Sequence, residues 1–188
     1  MQKMHFVTHE AHRPGKRVYR VNIDFRNVFN TMPQAALWHV MSMFHIQDVD
    51  LLEQIYDSAT VRLAPNDAES AIITFNTDVA QGSITSPQLF NIITNALLQM
   101  FTATGQNQGI KHGLQIGKDQ DDSSQDADHS YHFNNIGLID DISIFAETPE
   151  GMQTLLDVVQ EFKTWCGMEI NVRKTFLLVI YKAFQHQI

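Results

Sequence analysis

Asn135-Ile136-Gly137-Leu138-Ile139-Asp140-Asp141-Ile142-Ser143-Ile144-Phe145 sets two adjacent carboxylates between short apolar runs. The runs predict two strands, and the acidic pair predicts the tight turn of a β-hairpin joining them. Crowding two like charges is costly unless a cation neutralises them. A third acid, Asp24, ends a further apolar strand, Val18-Tyr19-Arg20-Val21-Asn22-Ile23-Asp24-Phe25. Three carboxylates at the ends of neighbouring strands would form an all-oxygen site. Such a site suits Mg²⁺, which takes few protein carboxylates and leaves room for substrate phosphates.

The chain is 188 residues long and 44% hydrophobic, enough for one sizeable core and one domain. A single cysteine, Cys166, excludes an internal disulfide framework and fits a reducing compartment. No apolar run reaches transmembrane length and no signal-peptide core opens the chain, so the expectation is an intracellular protein, nuclear or cytoplasmic, with no membrane partner. The formal charge of -8 argues against a simple nucleic-acid binder, which carries a basic footprint. A local metal site or basic regions elsewhere in a longer protein would offset that balance.

Outward from the hairpin, the pattern predicts an α+β fold with helices on one face of a mainly antiparallel sheet. Residues 1–17 form a polar lead-in without clear period. Pro33 stands at a helix start, followed by an apolar stripe of Ala36, Leu37, Val40, Met41 and Phe44. Asp48 is placed to cap a second helix carrying Leu51, Leu52, Ile55 and Tyr56. Pro65-Asn66-Asp67 marks the turn of a hairpin between the runs 61–63 and 71–75. Ser86-Pro87 opens a helix with Leu89, Phe90, Ile93, Leu97 and Phe101 inward. From about Thr104 to Asn134 the composition turns to Gln, Gly, Asp, Ser and His, which predicts a solvated or disordered insertion. Thr148-Pro149-Glu150 opens the next helix, with Met152, Leu155, Leu156, Val159 and Phe162 inward and Gly167 as its stop. A strand from Thr175 to Ile180 follows.

Four segments resemble, in order and spacing, the blocks of a reverse transcriptase palm, most closely those of non-LTR (LINE-like) retroelements. The first is Asn22-Ile23-Asp24-Phe25-Arg26-Asn27-Val28-Phe29-Asn30, similar to the first catalytic block. Next comes Ala80-Gln81-Gly82-Ser83-Ile84-Thr85-Ser86-Pro87-Gln88-Leu89-Phe90-Asn91, similar to the Gln-Gly…Ser-Pro…Phe-Asn block. Leu138-Ile139-Asp140-Asp141 is placed like the Asp-Asp box. Gly167-Met168-Glu169-Ile170-Asn171-Val172-Arg173-Lys174-Thr175 looks like the Gly…Asn…Lys-Thr block.

The resemblance implies a palm spanning 18–188, with fingers and thumb largely missing, as in a piece of a longer protein. It implies RNA-templated DNA synthesis from an RNA template, a DNA primer and deoxynucleoside triphosphates. Two Mg²⁺ ions, with Mn²⁺ as a substitute, would clamp the attacking 3′-hydroxyl and the leaving pyrophosphate. Asp24 and Asp140 would bridge the ions, Asp141 would support the site, and the Phe25 carbonyl would complete a metal shell. Phe29 matches the bulky gate against a ribose 2′-hydroxyl. Gln81 and Gly82 would line the nucleotide pocket, Gly82 because backbone approaches substrate there without a side chain. Lys174 is the candidate cation, and general acid, near the pyrophosphate.

Several positions depart from the family pattern. Asp78-Val79-Ala80 stands where the family often has Gly-Val-Arg, Leu138-Ile139 replaces Phe-Ala or Tyr-Ala, and Asn30 replaces a frequent non-metal aspartate. The alternative readings are a catalytically dead palm serving as a binding module, and a group II intron-type or RNA-dependent RNA polymerase. Phe29 argues against RNA synthesis. Without clamps, and at this net charge, the chain alone is expected to extend primers poorly. His129 and His132, with Asp126 and Asp128, are read as solvated rather than metal-binding, Cys166 as a packed thiol, and Met41, Met43, Met100 and Met152 as core filler. The pattern leaves the oligomeric state open.

Overall fold

The computed structural model describes residues 17–26, 32–58, 60–61, 73–74, 86–107, 114–116, 131–138 and 141–181. The elements run β1 (Arg17–Ile23), α1 (Gln34–Met43), α2 (Val49–Asp57), β2 (Thr60–Val61), β3 (Ile73–Thr74), α3 (Ser86–Asn107), β4 (Leu114–Ile116), β5 (Tyr131–Phe133), β6 (Asn135–Leu138), β7 (Asp141–Ala146), α4 (Pro149–Cys166) and β8 (Phe176–Tyr181). One four-stranded sheet, in the order β6-β7-β1-β8, is antiparallel throughout. β2 pairs β3 as the turn signal predicts, and β4 pairs β5 in a second ribbon that the composition of that segment conceals.

Alternation along the strands divides the sheet into two faces. Val21 and Ile23 of β1 and Ile142, Ile144 and Ala146 of β7 join the main core, together with Leu37 and Met41 of α1, Leu89, Phe90, Ile93, Leu97 and Phe101 of α3, and Met152, Leu155, Val159 and Phe162 of α4. All five predicted inward residues of α3 are buried. Full burial of each such side chain contributes about 1.5–3 kcal/mol, so this layer carries the fold. The other face holds only a small cluster, Val18 and Phe145 with Phe133, Ile136 and Ile180 against them. The intervening positions on that face are Arg20, Asn22 and Ser143, which are polar. Helices therefore cover one face, and among the described residues none covers the other beside the acidic residues.

Helix ends follow their local chemistry. The Gly151 N–H donates to Thr148 Oγ1 at 3.0 Å, and Pro149 occupies the first turn of α4 where its missing N–H costs nothing. Gly167 ends α4 at φ 77°, a left-handed conformation that side chains resist. Pro33 sits at the cap position of α1, one residue earlier than a first helical residue. Asp48 stands at the N-cap of α2 with φ 58° and makes no side-chain cap hydrogen bond, so the expected capping bond does not form. Gly137 lets α3 lie close on β6: a Cβ there would stand 2.9 Å from Leu98 Cδ1.

Several expectations are corrected. The segment 104–134 is not wholly a solvated insertion. Helix α3 runs on to Asn107, β4 and β5 pair, the Phe133 ring stacks on Phe145 with centroids 5.5 Å apart, and Asn134 Nδ2–H donates to the Phe101 carbonyl at 2.8 Å. Composition hides this because a few apolar residues at the ends of a polar stretch do the packing. Leu51 and Ile55 of α2 are more than half exposed, because the helix turns Val49, Leu52 and Tyr56 to the core instead. Met43, at the end of α1, is 64% exposed and is not core filler. Residues 1–16 and 126–129 lie outside the described residues.

Replacing residues 104–134 by a short Gly/Ser link should therefore lower the melting temperature by more than about 5 °C, through loss of the Phe133 stack and the Asn134 bond. A thermal melt followed by circular dichroism measures it; an unchanged midpoint would return the whole segment to the status of a surface insertion.

Candidate active site

Two core residues fix the direction of Asp24. Ile23 and Phe25, on either side of it, are buried among the helices. Strand alternation then turns Asp24 to the open face, where it is half-buried. On β7, Ile142 and Ile144 are buried in the same core, which sends Asp141 and Ser143 to the open face; Asp141 is exposed. The ladder pairs Asn22 with Ser143 and Ile23 with Ile142. The ladder ends there, and one further step in that register would set Asp24 across from Asp141. Directly opposed residues in antiparallel strands have Cβ atoms roughly 4.5–5.5 Å apart, and like charges there repel.

Hairpin β6–β7 closes at the pair Leu138↔Asp141, so two residues, Ile139 and Asp140, connect the strands, as the acidic turn predicts. Asp140 itself lies outside the described residues, as do Phe29, Gln81 and Gly82. The described ladder ends at Ile23↔Ile142, so Asp24 and Asp141 adjoin its last pair, and the other four positions are read from the sequence alone. Phe25 is buried, and it forms an isolated antiparallel bridge with Ile170.

That bridge belongs to a strap around the end of β1. Arg26 N–H donates to the Glu169 carbonyl at 2.8 Å, and Asn171 N–H donates to the Asp24 carbonyl at 2.7 Å. The exposed Arg26–Glu169 ion pair, at 3.3 Å, adds little in water. Lys174 rides on this strap. Its N–H donates to the Asn171 carbonyl at 3.0 Å and its side chain is exposed.

Sequence reasoning passed over Arg20, Asn22 and Ser143. Arg20 Nε–H donates to Asn22 Oδ1 at 2.7 Å, its Nη2 reaches Ser143 Oγ at 3.3 Å, and Ser143 donates to Asn22 Oδ1 at 3.1 Å. The guanidinium also lies 5.9 Å from the Phe145 ring centroid. Burial pulls it below its ordinary pKa without discharging it. The period-2 pattern Arg20, Asn22, Asp24 was the available signal: three polar residues on one face of an apolar strand.

Among the described residues no cluster of three His, Cys, Asp or Glu stands ready to hold a metal. Asp24 and Asp141 supply two carboxylates, and Asp140, between Leu138 and Asp141, supplies a third by sequence. Carboxylate oxygens are hard donors, so these residues fit a hard divalent cation such as Mg²⁺. His132 falls in β5. Cys166 is buried, and burial pushes its thiol pKa up, as expected for a packed thiol.

Residues 1–186 match the model of the family described as reverse transcriptase (RNA-dependent DNA polymerase). The chain belongs to the reverse transcriptase family. It is 25% identical over 176 residues to the Pol polyprotein of the type-2 retrotransposable element R2DM of Drosophila melanogaster, a match covering 93% of this chain and 15% of that one. Among solved structures it resembles Candida tropicalis telomerase in complex with a TWJ fragment of telomeric RNA, with TM-score 0.68, 11% identity, 95% of this chain and 28% of the other covered. Candida albicans telomerase in the corresponding complex gives TM-score 0.65 at 10% identity, over 94% of this chain and 29% of that one. The antiparallel sheet with helices on one face is the palm architecture of these polymerases. This reverse transcriptase chain spans less than a third of the length of those relatives. A separate apolar cavity of about 570 Å³ opens between α1, α3 and α4 of the reverse transcriptase fold, beside Met43, Met100 and Trp165; it includes no residue of β1, β7 or the strap. No helix among the described residues is long and apolar enough to cross a membrane.

Proposed function

We propose that this chain carries the nucleotidyl-transfer centre of an RNA-templated DNA polymerase of the non-LTR retroelement kind, within a palm spanning 18–188. The observation that supports the reading is the β1–β7 register, whose last pair, Ile23↔Ile142, leaves Asp24 and Asp141 at adjoining strand ends. Two opposed carboxylates with a third beside them in sequence are a costly arrangement in the absence of a cation. Two Mg²⁺ ions, or Mn²⁺ in their place, would supply charge stabilisation for the attacking 3′-hydroxyl and the departing pyrophosphate. Asp24 and Asp140 would bridge them, Asp141 would support the site, and the Phe25 carbonyl would add a neutral oxygen. Gln81 and Gly82 would line the nucleotide pocket. Lys174, exposed on the strap beside Asp24, would meet the pyrophosphate and donate a proton to it. RNA as template is supported by the Pol and telomerase likenesses, with a DNA primer and deoxynucleoside triphosphates as the other substrates. An intracellular location, nuclear or cytoplasmic, goes with this role.

Single-nucleotide incorporation tests the reading. With enzyme in excess over an RNA-template/DNA-primer duplex at low salt, the chain should add one deoxynucleotide slowly in Mg²⁺, and Asp24→Asn should not. Incorporation that survives Asp24→Asn would sink the proposal. In the same assay Phe29→Ala should raise ribonucleotide use relative to deoxyribonucleotide by about tenfold, the scale of one removed steric contact in a pocket. Unchanged discrimination would assign Phe29 to packing.

A further inference from the structure

We propose that Thr175 is the positioning residue of the metal site, acting through the backbone of Asp24. The inference rests on Asp24 being a metal ligand. Asp24 lies just past its ladders: β1 pairs β7 as far as Ile23 and β8 as far as Asn22. Its backbone groups therefore need partners outside the sheet. The turn before β8 supplies both. Asn171 N–H donates to the Asp24 carbonyl at 2.7 Å, and Asp24 N–H donates to Thr175 Oγ1 at 3.4 Å. The Asn171 carbonyl closes the turn by accepting from Lys174 N–H at 3.0 Å and Thr175 N–H at 2.9 Å.

These two contacts differ in what they ask of the sequence. A backbone N–H at position 171 is available from nearly any residue. An acceptor at 175 has to be a side-chain oxygen, and threonine's β-branching narrows the positions that oxygen can take. Among the described residues the Asp24 carboxylate takes no hydrogen bond or ion pair of its own. Its direction is then set by the backbone that carries it, and that backbone is held by Asn171 and Thr175. Metal sites depend on such outer partners to orient their ligands. The same turn bears Lys174, so the carboxylate and the cation are fixed to one strap.

The test is Mn²⁺ binding to the full 188-residue chain, read from the electron paramagnetic resonance of the free ion, with a thermal melt of each protein. Thr175→Val, which keeps shape and removes the oxygen, should weaken Mn²⁺ affinity about three- to tenfold, the scale of one hydrogen bond acting at a distance. Thr175→Ser should stay within about twofold of the parent, and both variants should melt with it, since one contact on an exposed strap adds little to the fold. Thr175→Ala repeats the removal without risk of crowding. Parent-like affinity in the Val and Ala variants, with Asp24→Asn still abolishing binding, overturns the positioning role alone. Loss in the Ser variant, or loss that follows a fall in melting temperature, assigns Thr175 to packing and overturns it too. A parent chain that binds no Mn²⁺, or an Asp24→Asn chain that binds as well as the parent, removes the metal reading along with this inference.

Discussion

Asp24→Asn and Asp141→Asn should each reduce nucleotide incorporation by at least about a hundredfold while leaving the fold intact or slightly more stable. The loss follows from the chemistry. Metal-centred stabilisation is worth several kcal/mol of the barrier, and each 1.36 kcal/mol is roughly a factor of ten in rate. The gain in stability follows from the register. Asp24 and Asp141 adjoin the last pair of the β1–β7 ladder, Ile23↔Ile142, and like charges at neighbouring strand ends repel in metal-free protein. An amide at either position removes the repulsion and keeps the shape. Melting in the presence of a chelator should show the variants at or above the parent, and added Mg²⁺ should raise the parent's midpoint more than theirs. A variant that loses both activity and several degrees of stability in chelator would mean that the carboxylate serves the fold instead.

Phe101→Ala should cost about 3–5 kcal/mol, the range for deleting a buried aromatic ring. Phe101 has no exposure at all and sits in the α3 layer behind the sheet. Its backbone carbonyl also receives the Asn134 side chain, so the helix is tied at this residue to the strand leading into the acidic hairpin. A domain stable by only about 5–15 kcal/mol would lose a large share of that margin. Urea unfolding should move the midpoint down with little change in slope. Should the loss stay below about 1 kcal/mol, α3 is not the central support of the sheet.

Much of this was legible in the sequence, and the legible parts share a cause. Helix α4 could be read because its stop and start signals are local: Thr148, Pro149 and Gly167 act within a few residues of themselves. The inward face of α3 could be read because five apolar residues keep helical period. The acidic hairpin could be read because a two-residue connection is a local event. Strand neighbours could not. That β1 lies between β7 and β8 is a long-range pairing that no period announces. The strap across residues 169–175 was equally hidden, because all but its Thr175 Oγ1 contact and the exposed Arg26–Glu169 ion pair works through backbone groups that every residue possesses. At the ribbon β4–β5, a polar composition masked two short strands. The strand β8 was read as a strand, but its place was not: it lies at the sheet edge with Phe176, Leu177, Leu178, Val179 and Tyr181 between 43% and 63% exposed.

Paramagnetic broadening by Mn²⁺ tests the central claim most directly. Traces of the ion, titrated into isotopically labelled protein, erase the backbone signals nearest its binding site. If Asp24, Asp140 and Asp141 share one metal, the first signals to vanish belong to Ile23–Arg26, Leu138–Ile142 and Asn171–Thr175, and Asp24→Asn keeps them. Broadening centred instead on the acidic and histidine-bearing stretch from Asp121 to His132, with β1 and β7 untouched, would contradict the account.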